Sequence, residues 1–234
     1  MTDQATAIAA NLEAVYERIR RAAKRARRKP EEVTLVAVSK TFPAELIREA
    51  HAAGVRHFGE NRVQEWDPKH ALLEDLDATW HLVGHLQNNK VARALKLFHA
   101  IDSLDRMELA QRLERLAVEA GKRIPVLAEV RLAPEKTKSG ITEAELPRLV
   151  EAVLSLPKLE LRGLMCIPPP AKDPEQTRPY FRRLRELRDA MGAQFKIPMP
   201  ELSMGMSHDF EVAIEEGATQ VRLGTAVFGP RAGR

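Results

Sequence analysis

The chain has 234 residues, with 37 lysines and arginines against 33 aspartates and glutamates, a formal charge of +4, and 44% hydrophobic residues. That length suits one sizeable core or two small domains and falls within the range of a single α/β barrel; the balanced composition excludes a disordered chain. No apolar run has the length of a membrane span or the form of a secretory h-region, and the lone Cys166 admits no intrachain disulfide, which together predict a cytoplasmic protein with no membrane partner.

The first predicted element is a long helix. Ile8, Leu12, Val15, Ile19 and Ala23 recur at helical spacing and make one apolar stripe. The basic run "RIRRAAKRARRK" at 18–29 has two readings. Nucleic-acid or anionic-surface binding is one; the solvated faces of a packed amphipathic helix, with cations favouring its C-terminal dipole, is the other. No aromatic residues interleave with the basic ones, so no nucleic-acid partner is expected.

Strand-like runs then alternate with helical patterns. The strands are expected at 33–40, 57–61, 79–84, 99–104, 124–132, 159–165, 201–206 and 220–225. Helical periodicity fills 43–54, 105–121, 142–156 and 177–192. Pro43 opens the first of these and Gly54 follows it, while Asp105 and Gly121 flank the second. Strand–helix alternation implies parallel strands with right-handed crossovers, and eight strands imply a closed (β/α)8 TIM-type barrel. No helical pattern follows Phe228, so the N-terminal helix is expected to cover the last strand. No linker or repeat divides the chain, which predicts one domain over residues 1–234.

In such a barrel, ligands bind at the C-terminal strand ends. Polar residues collect there: Ser39-Lys40, Glu60-Asn61, "GHLQNNK", Asp102-Ser103, "SMGMSHD", and Arg222 before "LGTAVFG". Ser207 is expected to cap a helix whose first N–H groups face an anion, and Gly224 with Thr225 offers a second such turn. Two adjacent anion-binding turns after strands seven and eight predict a phosphate-bearing ligand. Lys40 on neighbouring strand one is either a solvated lysine or the amine for an aldehyde. A lysine beside a phosphate site suits pyridoxal 5′-phosphate.

The stretches "LVAVSKTFP", "HFGENRVQE", "WHLVGHLQNNK", "IDSL", "KSGI", "LRGLMCIPP" and "LSMGMSHDFEVAIEEGATQVRLGTAVFGPR" run in order from Val33 to Arg231. In these the chain closely resembles the pyridoxal-phosphate homeostasis proteins, the YggS/PROSC family, single-domain relatives of the alanine racemase N-terminal barrel. The resemblance implies a fold-type III pyridoxal-phosphate-binding barrel with a Schiff base on Lys40 and phosphate contacts from Ser207, Gly224 and Thr225. It also implies that Asn61 lies beside the ring and that Arg222 faces the pyridine nitrogen. One departure is Arg131, where the family often has asparagine.

A guanidinium donates hydrogen bonds only, so an arginine facing the ring nitrogen would keep it unprotonated and weaken the cofactor as an electron sink. Racemisation also needs a second acid/base, which related racemases take as a tyrosine from another domain. Here the tyrosines are Tyr16 and Tyr180, neither at a strand end. The resemblance therefore implies a monomeric cofactor carrier, not an enzyme, that hands pyridoxal phosphate to apoenzymes; an amino-acid racemase or lyase is the alternative. Among weaker signals, His81 and His85 lack the further ligands of a zinc site and read as packing or hydrogen-bonding residues. Cys166 reads as a buried thiol. Lys90 and Lys138 are solvated loop lysines or transient holders of the cofactor during handover.

Overall fold

The computed structural model describes residues 3–133 and 139–230. Lys138, one of the two lysines considered for handover, lies outside the described residues. Eight parallel strands, β1 (Thr34–Val38), β2 (His57–Glu60), β3 (Thr79–Leu82), β4 (Ala100–Leu104), β5 (Ile124–Glu129), β6 (Leu159–Met165), β7 (Glu201–Ser203) and β8 (Gln220–Leu223), form a closed barrel in sequence order. Closure is made between β8 and β1, where Leu35 pairs with Val221 and Ala37 with Leu223.

The side-chain alternation of β1 sorts its residues to two cores. Leu35 and Ala37 pack outward against the helices. Val36 and Val38 turn into the barrel, where a Cβ placed on Gly59 would approach their methyl groups at 3.1 and 3.4 Å. The outer layer consists of α1 (Asp3–Arg25), α2 (Ala44–Ala52), α3 (Val63–His70), α4 (Val91–Leu97), α5 (Met107–Glu119), α6 (Leu146–Leu154), α7 (Arg178–Phe195), α8 (Phe210–Glu215) and α9 (Thr225–Phe228). Trp66 of α3 meets Trp80 of β3 at 4.1 Å between ring centroids and donates from Nε1 to the Leu97 carbonyl at 3.2 Å.

The expected barrel is present, with four corrections to its elements. Strand β1 stops at Val38 and β5 at Glu129, short of the expected ends. Ser39 still donates its N–H to the Gly59 carbonyl, but the chain then turns, so Lys40 stands on the turn rather than on the strand. The segments after β2 and β3 are the helices α3 and α4, which are too short and, in α3, interrupted by Pro68, to show clear periodicity. The last strand does have a following helix, although α9 is only four residues long. Finally, Ser207 is not a helix N-cap. Helix α8 begins at Phe210 with Asp209 in the cap position, and the Asp209 carboxylate accepts the Met206 N–H at 2.7 Å.

Because α8 and α9 are short, they leave β7 and β8 poorly covered, and α1 completes the layer. Ile8, Leu12, Val15, Ile19 and Ala23 are all buried there. Asn11 donates to the Val227 carbonyl of α9 at 3.0 Å. The basic run turns inward to α8: Arg18 pairs with Glu211 at 2.8 Å and Arg25 with Glu215 at 2.5 Å. Arg28 donates to the carbonyls of Ile214 and Ala218 at 3.0 and 2.8 Å. Arg18, Arg25 and Arg28 thus lie along the contact between α1 and α8. Among the described residues, no helix is long and apolar enough to cross a membrane.

Candidate functional site

The C-terminal mouth of the barrel holds a cavity of about 290 Å³ whose wall includes Lys40, Asn61, Ser207, Arg222, Gly224 and Thr225. All six residues singled out in the sequence therefore share one pocket. Its apolar lining, which the sequence reading did not identify, comes from Val38, Val83, Ile167 and Met206. The strand alternation could have supplied Val38, since it lies two positions before Lys40 on the inward face.

Each polar group is held by a local cause. Asn61 follows β2, and its backbone is fixed by close contact with Gly84, where a Cβ would fall 2.3 Å from the Asn61 carbonyl oxygen. Ser103 in turn donates to the Gly84 carbonyl at 2.7 Å. After β7 the chain turns at Gly205, whose φ of +93° and contact with Phe210 leave no room for a side chain. Ser207 follows, and its Oγ accepts the Ala226 N–H at 3.3 Å. One hydroxyl thereby ties the turn after β7 to the turn after β8. Of the two turns expected to face an anion, the first is therefore not the N-terminus of α8 but the turn that carries Ser207.

Arg222 sits at 4% exposure inside the barrel. Its guanidinium donates to Ser203 Oγ and to the Cys166 carbonyl, both at 2.8 Å. Burial lowers its pKa, while Cys166, Asp102, Glu129 and Asp209 act in the opposite sense. Arginine nevertheless remains a donor-only cation, held here at a fixed orientation. Burial pushes the Cys166 thiol up to about 12, so it is the inert buried thiol expected. Glu129, at the end of β5, is buried, and burial with the nearby Asp105 pushes its carboxyl to about 7 despite the attraction of Arg222.

The remaining candidates lie elsewhere. His81 hydrogen-bonds Asp102 at 3.1 Å and His57 at 3.0 Å, while His85 hydrogen-bonds Asp105 at 3.0 Å. The two histidines thus serve separate partners. Lys90 lines a neighbouring cavity of about 530 Å³ with Arg62, His85 and Gln87, and Asn61 borders both cavities. A larger cavity of about 660 Å³ opens at the opposite mouth of the barrel, among Thr34, His57, Thr79 and Gln220. Those residues begin their strands, the end of such barrels associated with stability rather than chemistry. Tyr16 and Tyr180 lie on α1 and α7 and line neither the Lys40 pocket nor the Lys90 cavity.

A parallel barrel with a lysine just beyond β1 and two small-residue turns after β7 and β8 defines a class, and the comparisons agree with it. Residues 10–232 match the family model for the alanine racemase N-terminal domain, and the chain belongs to that family. It belongs, more narrowly, to the pyridoxal phosphate homeostasis proteins. A protein of that name from Aquifex aeolicus is 48% identical over 220 residues, 94% of this chain and 96% of the relative. Another from Pseudomonas aeruginosa is 47% identical, with 96% of each chain covered. PipY of Synechococcus elongatus, solved with pyridoxal phosphate bound, is 42% identical with a TM-score of 0.85, and 95% of this chain and 100% of that one are covered.

Proposed function

We propose that this chain is a pyridoxal 5′-phosphate-binding protein of intracellular cofactor homeostasis, acting in the cytoplasm as a single-domain monomer. The observation that carries the reading is the convergence of Lys40, Asn61, Ser207, Arg222, Gly224 and Thr225 on one small pocket. The names of the relatives, and the ligand bound to PipY, support it. The residues fit the group on the donor set alone: an amine at one side, small-residue turns for an anion at the other, and apolar walls between.

Bound there, pyridoxal phosphate supplies an aldehyde that condenses with an amine and a phosphate that anchors it. Lys40 is the residue placed to provide the amine. Ser207, Gly224 and Thr225 hold the phosphate, with the Ser207–Ala226 bond fixing the spacing of the two turns. Val38 and Val83 exclude water from the sides. Arg222, held by Ser203 and the Cys166 carbonyl, would offer a ring nitrogen donors only and no proton-sharing carboxylate, and Asn61 would border the ring. With no tyrosine in the pocket, the arrangement favours retention and release over turnover, and delivery to apoenzymes is the role we assign to release. Racemase or lyase activity is the alternative that assays with D- and L-amino acids test.

The deciding experiment adds pyridoxal phosphate to the purified chain, records the visible spectrum, reduces with borohydride and maps the modified peptide. The expected result is a reducible link on Lys40 that Lys40→Ala abolishes, while Ser207→Ala keeps the link but releases the ligand faster. A reduced adduct that persists in Lys40→Ala would overturn the assignment.

A further inference from the structure

The residues that follow β1 form a tight turn. Phe42 donates its N–H to the Ser39 carbonyl at 3.2 Å, so Lys40 and Thr41 occupy the two central positions. Thr41 has φ +69°, the left-handed region that a β-branched residue strongly disfavours. Such a backbone conformation is costly and persists where its surroundings fix it.

Part of those surroundings is a lysine from another element. Lys69, on α3, donates from Nζ to the Ser39 carbonyl at 3.2 Å and to the Phe42 carbonyl at 3.4 Å, the two ends of the turn. Its third bond goes to Glu60 Oε1 at 2.6 Å. Those three partners use all the donors of an ammonium. Glu60 ends β2, is fully buried, and through the same Oε1 accepts the Ser39 hydroxyl at 2.9 Å. Its other oxygen, Oε2, is buried without a hydrogen-bond partner. A buried ion pair with an orphaned oxygen is a weak source of stability. Its geometry, however, grips the Lys40 turn at both ends and at the Ser39 side chain.

We propose that Lys69, anchored by Glu60, is a positioning residue for Lys40. It holds the turn so that the Lys40 amine meets the ligand aldehyde, and so sets how tightly the protein retains it. The inference rests on the functional reading above. In the step concerned, the neutral amine of Lys40 adds to the aldehyde carbon, a C=N bond replaces C=O, and the oxygen leaves as water. Lys69 takes no part in bond making; it lowers the ordering cost of the turn.

The test compares two ligands on the full-length chain. Pyridoxal 5′-phosphate carries the aldehyde, and pyridoxine 5′-phosphate carries an alcohol in its place and uses only the ring and phosphate contacts. Lys69→Met is the direct variant. The double variant Glu60→Gln/Lys69→Met leaves no unpaired buried charge and serves if the single variant does not fold. The expected result is a loss of about tenfold in affinity for the aldehyde ligand with binding of the alcohol changed by less than about twofold. Equal losses for both ligands would reveal general disruption and overturn the inference, as would unchanged affinity for both. If the unsubstituted chain forms no link on Lys40, the functional reading fails and the inference falls with it. A wild-type link with an unaffected variant removes the inference alone.

Discussion

Glu129 shows how a single buried group at a strand end is linked to pH. Its carboxyl keeps a proton up to about 7 in the folded chain, against an ordinary value of 4.5, chiefly because burial penalises the charge. The folded state therefore binds this proton through a range where the unfolded state has released it, and stability falls as pH rises from 4.5 to about 7. The difference corresponds to about 3 kcal/mol. Glu129→Gln copies the protonated form. Relative to the unsubstituted chain, it should gain stability by up to about that amount over this window, read by urea unfolding at a series of pH values. Parallel curves for the two proteins would show that the carboxyl is not held neutral. The same residue-scale chemistry was only partly legible in the sequence. Lys40, Ser207, Arg222, Gly224 and Thr225 stand in strand-end stretches with unusual residue patterns. Glu60 and Lys69 belong to different elements, and nothing in a single sequence marks them as partners, since their pairing exists only once α3 lies against the turn after β1.

Among the elements, α1 departs most from its surface impression. Its cations suggest a binding face, yet Arg18, Arg25 and Arg28 all reach α8 or its flanks. Their energetic weight is small. Arg25 is half exposed, and exposed pairs of this kind contribute under about 1 kcal/mol. The apolar stripe dominates: Leu12, 2% exposed, should lose about 2–5 kcal/mol on substitution by alanine, whereas Arg25→Ala should cost under about 1 kcal/mol, both measured by denaturant titration. A reversed order would mean that charge, not packing, docks the helix. The stripe was readable because its helical period holds from Ile8 to Ala23, most of a helix of 23 residues. Helix α4 has seven residues and α3 eight, including Pro68, which is too little sequence to establish a period. The expected cap at Ser207 failed because α8 begins only at Phe210, behind Asp209, and the Ser207 hydroxyl accepts the Ala226 N–H of the next turn instead.

For the whole molecule, the relevant feature is where the barrel closes. Strand alternation revealed eight strands and hence a ring, but which groups cross the seam was not visible in the pattern. Beyond the β8–β1 ladder, Phe42 stacks on Phe228 at 4.8 Å between ring centroids, joining the turn after β1 to α9. The pocket lies over this seam, with Lys40 after β1 and Ser207, Gly224 and Thr225 after β7 and β8, and a ligand held there would span it. Ligand binding should therefore stabilise the whole chain against unfolding rather than order one loop. At a hundredfold excess over Kd the gain is about 2.7 kcal/mol, or about 5–10 °C in Tm for a chain of this size. Calorimetry with and without pyridoxal phosphate checks this, and Lys40→Ala should show a smaller rise. An unchanged Tm under saturating ligand would separate the pocket from the seam.

The same seam has a consequence for biosynthesis. The proposed site draws Lys40 and Asn61 from the first third of the chain and Ser207 through Thr225 from its final eighth. A chain still on the ribosome, with its last strand unmade, has the amine and the turn bearing Ser207 but lacks Gly224 and Thr225, which follow β8. On the proposed site, firm capture of the ligand would wait for β8 and the turn that follows it, so that binding and closure of the barrel become one event.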